Sequence, residues 1–212
     1  MPTHRLDRIT DGGVIAILRG VGRDDAVRVA DAVVDAGVTA LEVTADSPDA
    51  TDSIEAIADR VDDALVGAGT VLDPETARAA QLAGAEFLVT PTVNREVVRT
   101  ANRYGTPIAV GAYTPTEALD AYEAGADLVK VFPAKTGGPE HVAAIGGPLS
   151  QIPLVPTGGV DASNAGDYVR AGAAAVGVGG GIVDGEAVAD GDFDAIESNA
   201  RAVVEAVAAA RR

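Results

Sequence analysis

The stretch PTEALDAYEAGADLVKV, residues 115–131, contains the repeating unit from which we infer the fold. A proline begins a helical segment, an Ala-Gly pair ends it, and a short apolar run follows. Proline is favoured in the first turn of a helix, and glycine just past its last turn. The apolar run has the length and composition of a buried strand. The stretch therefore predicts a helix, a tight turn and a strand.

The same unit recurs along the chain. Ala-Gly pairs that end in Gly37, Gly84, Gly125 and Gly172 each precede a short apolar run. Eight strands are expected, at residues 14–18, 40–43, 64–67, 87–89, 108–110, 128–131, 154–155 and 175–178. Helices are expected at residues 24–36, 50–60, 74–83, 95–104, 115–124, 139–146, 164–171 and 193–209, and a short helix is expected before the first strand.

Apolar strands that alternate with amphipathic helices indicate a parallel sheet covered by helices. Eight such units favour a closed (β/α)₈ barrel over an open doubly wound sheet, which would give a similar pattern. No linker divides the 212 residues, so we expect one domain over residues 1–212. Function in such a barrel lies at the carboxyl ends of the strands.

Composition excludes several classes of partner. The net charge of −16 argues against nucleic acid and against an anionic membrane surface, because both require clustered basic residues. No apolar run reaches the ~18 residues of a membrane span, and the amino terminus lacks the apolar stretch of a signal peptide. We therefore expect a cytoplasmic protein. The absence of cysteine excludes disulfides and thiolate chemistry.

The basic residues are almost all arginines rather than lysines. Of 16 basic residues only Lys130 and Lys135 are lysines, while 32 acidic residues are dispersed along the chain. This composition resembles that of proteins that work in molar salt, where ions screen the repulsion between like charges. We therefore expect a halophilic source, the alternative being an ordinary acidic enzyme.

Two charged residues interrupt the apolar strands. Lys130 lies near the end of the sixth strand in DLVKVFPAKTGG, and Glu42 near the end of the second in TALEVTAD. A buried ammonium is costly, and the neutral amine is the nucleophile in Schiff-base chemistry. A carboxyl beside it could move protons. The alternatives are a lysine that reaches solvent and a purely structural ion pair. The scarcity of lysine favours a chemical role for Lys130.

Glycine-rich segments follow the last two strands. PTGGV, residues 156–160, follows the seventh strand, and GVGGGI, residues 177–182, follows the eighth. Backbone N–H groups in such loops form the usual phosphate site of this fold. Arg19, at the end of the first strand, is a candidate to hold a substrate carboxylate, or a solvated strand-end residue. The two histidines, His4 and His141, fall at no strand end, so a metal cluster or a His-based triad has no support.

The motifs AILRG (16–20), LEVT (41–44), VGAGTVL (66–72), GAYTPTEA (111–118), VKVFPA (129–134), PTGGV and GVGGG resemble those of a known family. This family is the class I 2-keto-3-deoxy-6-phosphogluconate aldolases, with the related 4-hydroxy-2-oxoglutarate and 6-phosphogalactonate aldolases. The resemblance covers nearly the whole chain. It implies cleavage of the phosphorylated keto acid to pyruvate and glyceraldehyde 3-phosphate by a homotrimer, with no metal and no organic cofactor.

The resemblance also implies roles for individual residues. Lys130 would form the Schiff base and Glu42 would be the general acid/base. Substrate neighbours would be Thr70 and Pro91, with Phe132 packed beside the lysine. The pyruvyl and phosphate ends would be held by Thr157, Gly158, Gly159, Gly179, Gly180 and Gly181.

Two positions depart from the family pattern. Asp46, in TADSP, stands where gluconate-type enzymes commonly have arginine and galactonate-type enzymes usually have asparagine. Arg19 therefore becomes the stronger candidate for an anion contact. Gly181 stands where many relatives have a serine as phosphate ligand, so backbone contacts would have to suffice there. Two other functions remain open from the sequence: a phosphate-binding barrel isomerase or synthase, and a non-catalytic phosphosugar-binding module.

Overall fold

The structure, a computed structural model, describes residues 2–212 and the side chains from Arg5 onward, so the side chain of His4 lies outside the described part. Eight strands are present: β1 (Val14–Leu18), β2 (Ala40–Thr44), β3 (Leu65–Gly69), β4 (Phe87–Val89), β5 (Ile108–Ala112), β6 (Leu128–Val131), β7 (Leu154–Pro156) and β8 (Val176–Val178). They alternate with helices α1 (Pro2–Gly12), α2 (Arg23–Asp35), α3 (Ala50–Ala58), α4 (Pro74–Leu82), α5 (Arg95–Arg103), α6 (Pro115–Ala124), α7 (Ala134–Gly146), α8 (Ala165–Arg170), α9 (Gly185–Asp190) and α10 (Phe193–Ala210).

The strands form one parallel sheet that curls into a barrel. Their order is β7-β6-β5-β4-β3-β2-β1-β8. The two outer strands meet through a bridge between Thr157 and Gly177, and the Ala174 N–H donates to the Leu154 carbonyl at 2.9 Å. The expected (β/α)₈ barrel, preceded by a short helix, is confirmed.

The expected elements differ from the observed ones mainly at their ends. Each predicted strand is present within one or two residues of its expected bounds. The glycines of the Ala-Gly pairs all have left-handed φ values: 96° at Gly37, 107° at Gly84, 103° at Gly125 and 97° at Gly172. A side chain would strain the backbone there, which explains why glycine ends these helices.

Two helices differ from expectation. The helix expected from residue 139 is the second part of α7, which begins at Ala134 and is interrupted at Gly138, where φ is 68° and ψ is −171°. The short helix α9 was not expected, because its six residues are too few to show an apolar period.

Alternate strand residues fill the inside of the barrel. Ile15, Leu65, Phe87, Leu128 and Val155 belong to this inner cluster, and Ile9 of α1 packs against it. Because each fully buried side chain of this size contributes about 1.5–3 kcal/mol, the cluster is a major source of stability. A larger cluster fills the layer between the outer face of the sheet and the helices.

No helix in the part of the chain that the structure describes is long and apolar enough to cross a membrane.

Candidate active site

Strand periodicity directs two charged side chains into the barrel. Ala40 and Leu128 belong to the inner cluster, and side chains two residues further along a strand face the same side. These positions are Glu42 on β2 and Lys130 on β6. Their side chains are only 2% and 7% exposed, so both ionisable groups are buried at the carboxyl end of the barrel.

The two groups form an ion pair without a hydrogen bond. Lys130 Nζ lies 3.9 Å from Glu42 Oε1, and Oε1 is buried without a hydrogen-bond partner among the described residues. Burial raises the pKa of the Glu42 carboxyl above its ordinary value, against the opposing charges of Lys130 and Arg19. An unsatisfied buried oxygen costs stability, which suggests that this geometry serves chemistry.

Glycines on neighbouring strands make room for this layer of side chains. A Cβ added to Gly69 on β3 would overlap the Glu42 carboxyl, and one added to Gly177 on β8 would overlap the Thr157 hydroxyl. The GAGT segment, residues 67–70, spans the end of the third strand and includes two of these glycines. Its Gly69 receives the Glu42 side chain, and its Gly67 receives the ring of Phe87.

A cavity of about 650 Å³ opens at this end of the barrel and contains most of the predicted site. A volume of this size suits a small molecule. The predicted residues that line it are Arg19, Glu42, Lys130, Phe132, Thr157, Gly158, Gly159, Gly179, Gly180 and Gly181.

Thr70 and Pro91 do not line this cavity. Thr70 lies behind Arg19, which does line the cavity, and its hydroxyl accepts a hydrogen bond of 2.7 Å from Arg19 Nη2. Pro91 lies in a neighbouring depression that it shares with Phe132, because its backbone occupies the space that the missing side chain of Gly111 leaves free. The structure thus places Phe132 between the main cavity and the depression that contains Pro91.

The glycine loops present free backbone donors to the cavity. Among the described residues, the N–H groups of Gly158, Gly159, Gly179, Gly180 and Gly181 donate to no acceptor. Gly158 and Gly159 have φ values of 91° and 81°, a conformation that other residues rarely adopt. Successive N–H groups in such turns form concavities that bind anions. The loops therefore have the donors that a phosphate group requires.

Lys135, for which no role was predicted, also lies beside these loops. Its N–H donates to the Gly158 carbonyl at 2.9 Å. The side chain crosses Gly159 so closely that a Cβ there would lie 2.5 Å from the Lys135 Cβ. Among the described side chains Lys135 forms no ion pair. Its position in the segment just after the sixth strand, at the end of the barrel where function is expected, could have identified it from the sequence.

Other lining residues were also missed. Ile17 lies two residues after the interior residue Ile15, so strand periodicity could have identified it. Asp161, in the loop after β7, lines the cavity as well. Its carboxylate accepts a hydrogen bond of 2.8 Å from the Ser163 N–H.

Arg19 does not extend freely into solvent. Its guanidinium forms an ion pair with Asp46 and also donates to Thr70, so the first strand, the loop after β2 and the residue after β3 are joined at the rim. The acidic residue at position 46 is thus paired with the charge of Arg19.

The described residues offer no cluster of three or more His, Cys, Asp or Glu side chains that could hold a metal ion. His141 stacks on Tyr113 with ring centroids 4.6 Å apart, and its Nε2 lies 2.7 Å from the Tyr113 carbonyl. Neither residue lines the main cavity.

A parallel (β/α)₈ barrel with a buried lysine–carboxylate pair in a cavity at the carboxyl ends of its strands has the features of the barrel enzymes, whose sites lie at this end. The model of one family, described as KDPG and KHG aldolase, matches residues 6–199. The chain belongs to this family. It is therefore an enzyme of the aldehyde-lyase class, which argues against both alternative functions considered above.

Three relatives illustrate the similarity. A 2-dehydro-3-deoxy-6-phosphogalactonate aldolase from Escherichia coli K12 is 43% identical over 78% of this chain and 82% of its own. A KHG/KDPG aldolase from the same strain is 36% identical over 93% of each chain. The solved structure of KDPG aldolase from Legionella pneumophila, with pyruvate captured as a covalent carbinolamine, has a TM-score of 0.86 and 30% identity, covering 96% of this chain and 98% of its own.

Proposed function

We propose that this protein is a Schiff-base aldolase that cleaves a 2-keto-3-deoxy-6-phospho sugar acid to pyruvate and glyceraldehyde 3-phosphate. The observation that carries the proposal is the buried pair of Lys130 and Glu42 within one cavity. The carbinolamine of the Legionella relative supports it, because such an adduct forms when an amine adds to the keto group of pyruvate.

In the proposed reaction, the neutral Lys130 amine adds to the C2 keto group to give a carbinolamine. The acid form of Glu42 gives a proton to the carbinolamine hydroxyl, which leaves as water, and a protonated imine remains. A base then removes the proton of the C4 hydroxyl, the C3–C4 bond breaks, and its electron pair passes to the imine nitrogen. Glyceraldehyde 3-phosphate leaves. The remaining enamine takes a proton at C3, and water hydrolyses the resulting imine to release pyruvate and the lysine.

Glu42 is the proposed proton carrier in these steps. It is the carboxyl closest to the amine, and its Oε1 is free to bond a substrate or water. The raised pKa of this carboxyl brings its two protonation states closer in free energy near neutral pH, as a group that both takes and gives protons requires. The reaction uses only side chains of this protein, so the proposal includes no cofactor.

The opposite end of the substrate is proposed to bind the glycine loops. The free N–H groups of Gly158, Gly159 and Gly179 to Gly181 support a phosphate there, and Gly181 could act through its backbone in place of a serine. Lys135, whose stem lies over Gly159, adds a positive charge at the edge of the same loop. Thr157 lines the cavity between this loop and β7.

The two candidate substrates, the gluconate and the galactonate acid, differ in their configuration at C4. Similarity to the galactonate-type relative and the DSP sequence at Asp46 support activity on the galactonate acid, whereas the KHG/KDPG relative supports the gluconate acid. We propose that one or both epimers are substrates.

The test couples pyruvate release to lactate dehydrogenase with each epimer and with the non-phosphorylated acid. The parent protein should release pyruvate from at least one phosphorylated epimer. Lys130→Ala should abolish release, because no other described amine lies beside Glu42. Full activity of Lys130→Ala would contradict the mechanism.

Adduct trapping gives an independent readout. Pyruvate plus borohydride should reduce the Schiff base to a stable adduct, located at Lys130 by peptide mass mapping. The chain offers a matched control in its only other lysine: Lys135→Ala should still form the adduct, because pyruvate has no phosphate group. An adduct on Lys135 of the parent protein, with none on Lys130, would refute the assignment.

The oligomeric state and the cellular location of the protein are also proposed. We propose a homotrimer in the cytoplasm of a cell with a high salt content, supported by the family resemblance and by the net charge of −16. Exposed apolar side chains, among them Leu82 at 71% exposed and Tyr104 at 51%, offer surface for subunit contacts. Sedimentation equilibrium should give three times the chain mass of 21.2 kDa; a monomer would contradict this part.

A further inference from the structure

The loop that carries Asp46 is fastened to the strands on both sides of it. The Ser47 hydroxyl accepts the Gly20 N–H at 2.8 Å, just after β1, and lies 2.9 Å from the Thr44 hydroxyl. The Ala45 N–H donates to the Gly69 carbonyl of β3 at 2.7 Å. These contacts fix the backbone of position 46 relative to the first and third strands.

Asp46 uses this fixed position to bind Arg19. Its Oδ2 accepts from Arg19 Nη1, and the Thr70 hydroxyl accepts from Nη2 at 2.7 Å. The guanidinium is therefore held from two sides. An arginine has five N–H donors, so three remain for a ligand in the cavity that Arg19 lines.

The backbone of Thr70 is strained at the point where this contact forms. Thr70 has a φ of 56°, which is a genuine outlier for a β-branched residue. Strain of this kind persists where the surroundings impose it, and it clusters at active sites. Here it brings the hydroxyl within hydrogen-bond reach of Arg19.

The charge and the fixed position of Arg19 each have a consequence for the site. The positive charge of Arg19 acts on Glu42, whose pKa it helps to lower against the effect of burial. A half-exposed arginine would otherwise sample many rotamers, and a ligand that orders it would lose affinity for that reason. Ordering in advance reduces that loss.

We propose that Asp46 is a positioning residue that, together with Thr70, holds the Arg19 guanidinium ready to bind the carboxylate of the keto-acid substrate. Asp46 does not itself touch the substrate; it acts through Arg19. This inference rests on the proposed Schiff-base function, because it assigns one end of the same substrate.

The test measures the pyruvate concentration that gives half of the maximal borohydride-trapped adduct on Lys130. Asp46→Ala should raise this concentration about fivefold, as expected for the loss of a partly exposed charge-assisted contact, while the maximal adduct is retained. Asp46→Asn should lie between Ala and the parent, because its amide oxygen still accepts from Arg19.

Two controls separate positioning from structure. Asp49 lies in the same loop between β2 and α3 as Asp46, and its side chain makes no hydrogen bond to the start of α3. Asp49→Asn removes one negative charge from this loop and should behave as the parent protein. In an Arg19→Ala background, Asp46→Ala should have no further effect, because it acts only through that arginine.

The outcomes distinguish this inference from the proposed function. An unchanged half-saturation in Asp46→Ala, or independent effects in the double variant, would overturn the positioning role alone. If the parent protein formed no adduct with pyruvate, the Schiff-base function would fall and this inference with it.

Discussion

The carboxyl of Glu42 lies in an environment that opposes its ionisation. Burial raises its pKa, and Lys130 and Arg19 only partly offset this effect. A base must be ionised to accept a proton, so its ionised fraction falls as the pH falls through this pKa. Because the pKa is raised, the loss begins at a higher pH than for an exposed glutamate.

We therefore expect a pH profile with a displaced acidic limb. In the parent protein, kcat/KM should fall in acid with a midpoint above the ordinary glutamate value of 4.5. Glu42→Gln should remove this limb and lower kcat by at least about a hundredfold, since general acid–base catalysis contributes 10²–10⁴. The exposed Glu205→Gln should leave the profile unchanged. A limb that survives in Glu42→Gln would assign the ionisation to another group.

Gly69 tests how tightly the Glu42 carboxyl is placed. In Gly69→Ala the new methyl group would overlap this carboxyl, which can move more readily than backbone atoms can. We expect a fall in kcat of about a hundredfold, comparable to other small misplacements of catalytic groups, with little loss of stability. Gly22→Ala, where no atom lies within 4 Å, is the control. Equal kcat in both variants would show that the carboxyl tolerates displacement.

At the scale of elements, side-chain caps fix where several helices begin. Asp73 caps α4 and Asn94 caps α5 through their side-chain oxygens. Thr114 and Glu117 form a reciprocal capping box at the start of α6, directly after the strand that carries Gly111. Such caps satisfy backbone donors that the helix itself leaves free.

Loss of the capping box should cost stability without affecting chemistry. Thr114→Ala should lower the free energy of unfolding by about 1 kcal/mol, equivalent to a decrease in Tm of about 2–4 °C for a chain of this size. The exposed Thr116→Ala on the same helix is the control. Thermal unfolding followed by circular dichroism measures both, and a Tm of Thr114→Ala equal to the control would contradict the capping role.

At the scale of the whole molecule, like charge is the dominant electrostatic feature. A net charge of −16 opposes compaction, and salt shortens the reach of this repulsion from about 10 Å at 0.1 M to about 3 Å at 1 M. Sulfate also stabilises proteins because it is excluded from their surface. A chloride salt is therefore the better choice for measuring the effect of charge screening.

Stability should therefore rise with salt. We expect the Tm to increase between low and molar potassium chloride, and activity to follow the folded fraction. A variant with Asp59, Asp62 and Asp63 all changed to Asn removes three exposed charges and should show a smaller increase. A Tm independent of salt in the parent protein would refute the proposal of a high-salt protein.

The amino-acid sequence determined the repeating unit, the eight strands, the barrel and the family motifs. These features follow from local chemistry: short apolar runs for the strands, glycines at left-handed positions and proline at helix starts. The positions of Lys130 and Glu42 near the ends of their strands predicted that both lie at the carboxyl end of the barrel.

Tertiary structure alone decided which distant residues meet. The Arg19, Asp46 and Thr70 contact joins three strands' ends, Pro91 fills the space left by Gly111, and Lys135 crosses Gly159. No local pattern encodes these contacts, because they depend on barrel closure, which brings together residues that are far apart in the chain. Sequence thus specifies which groups reach the rim, and the closed barrel sets which of them touch.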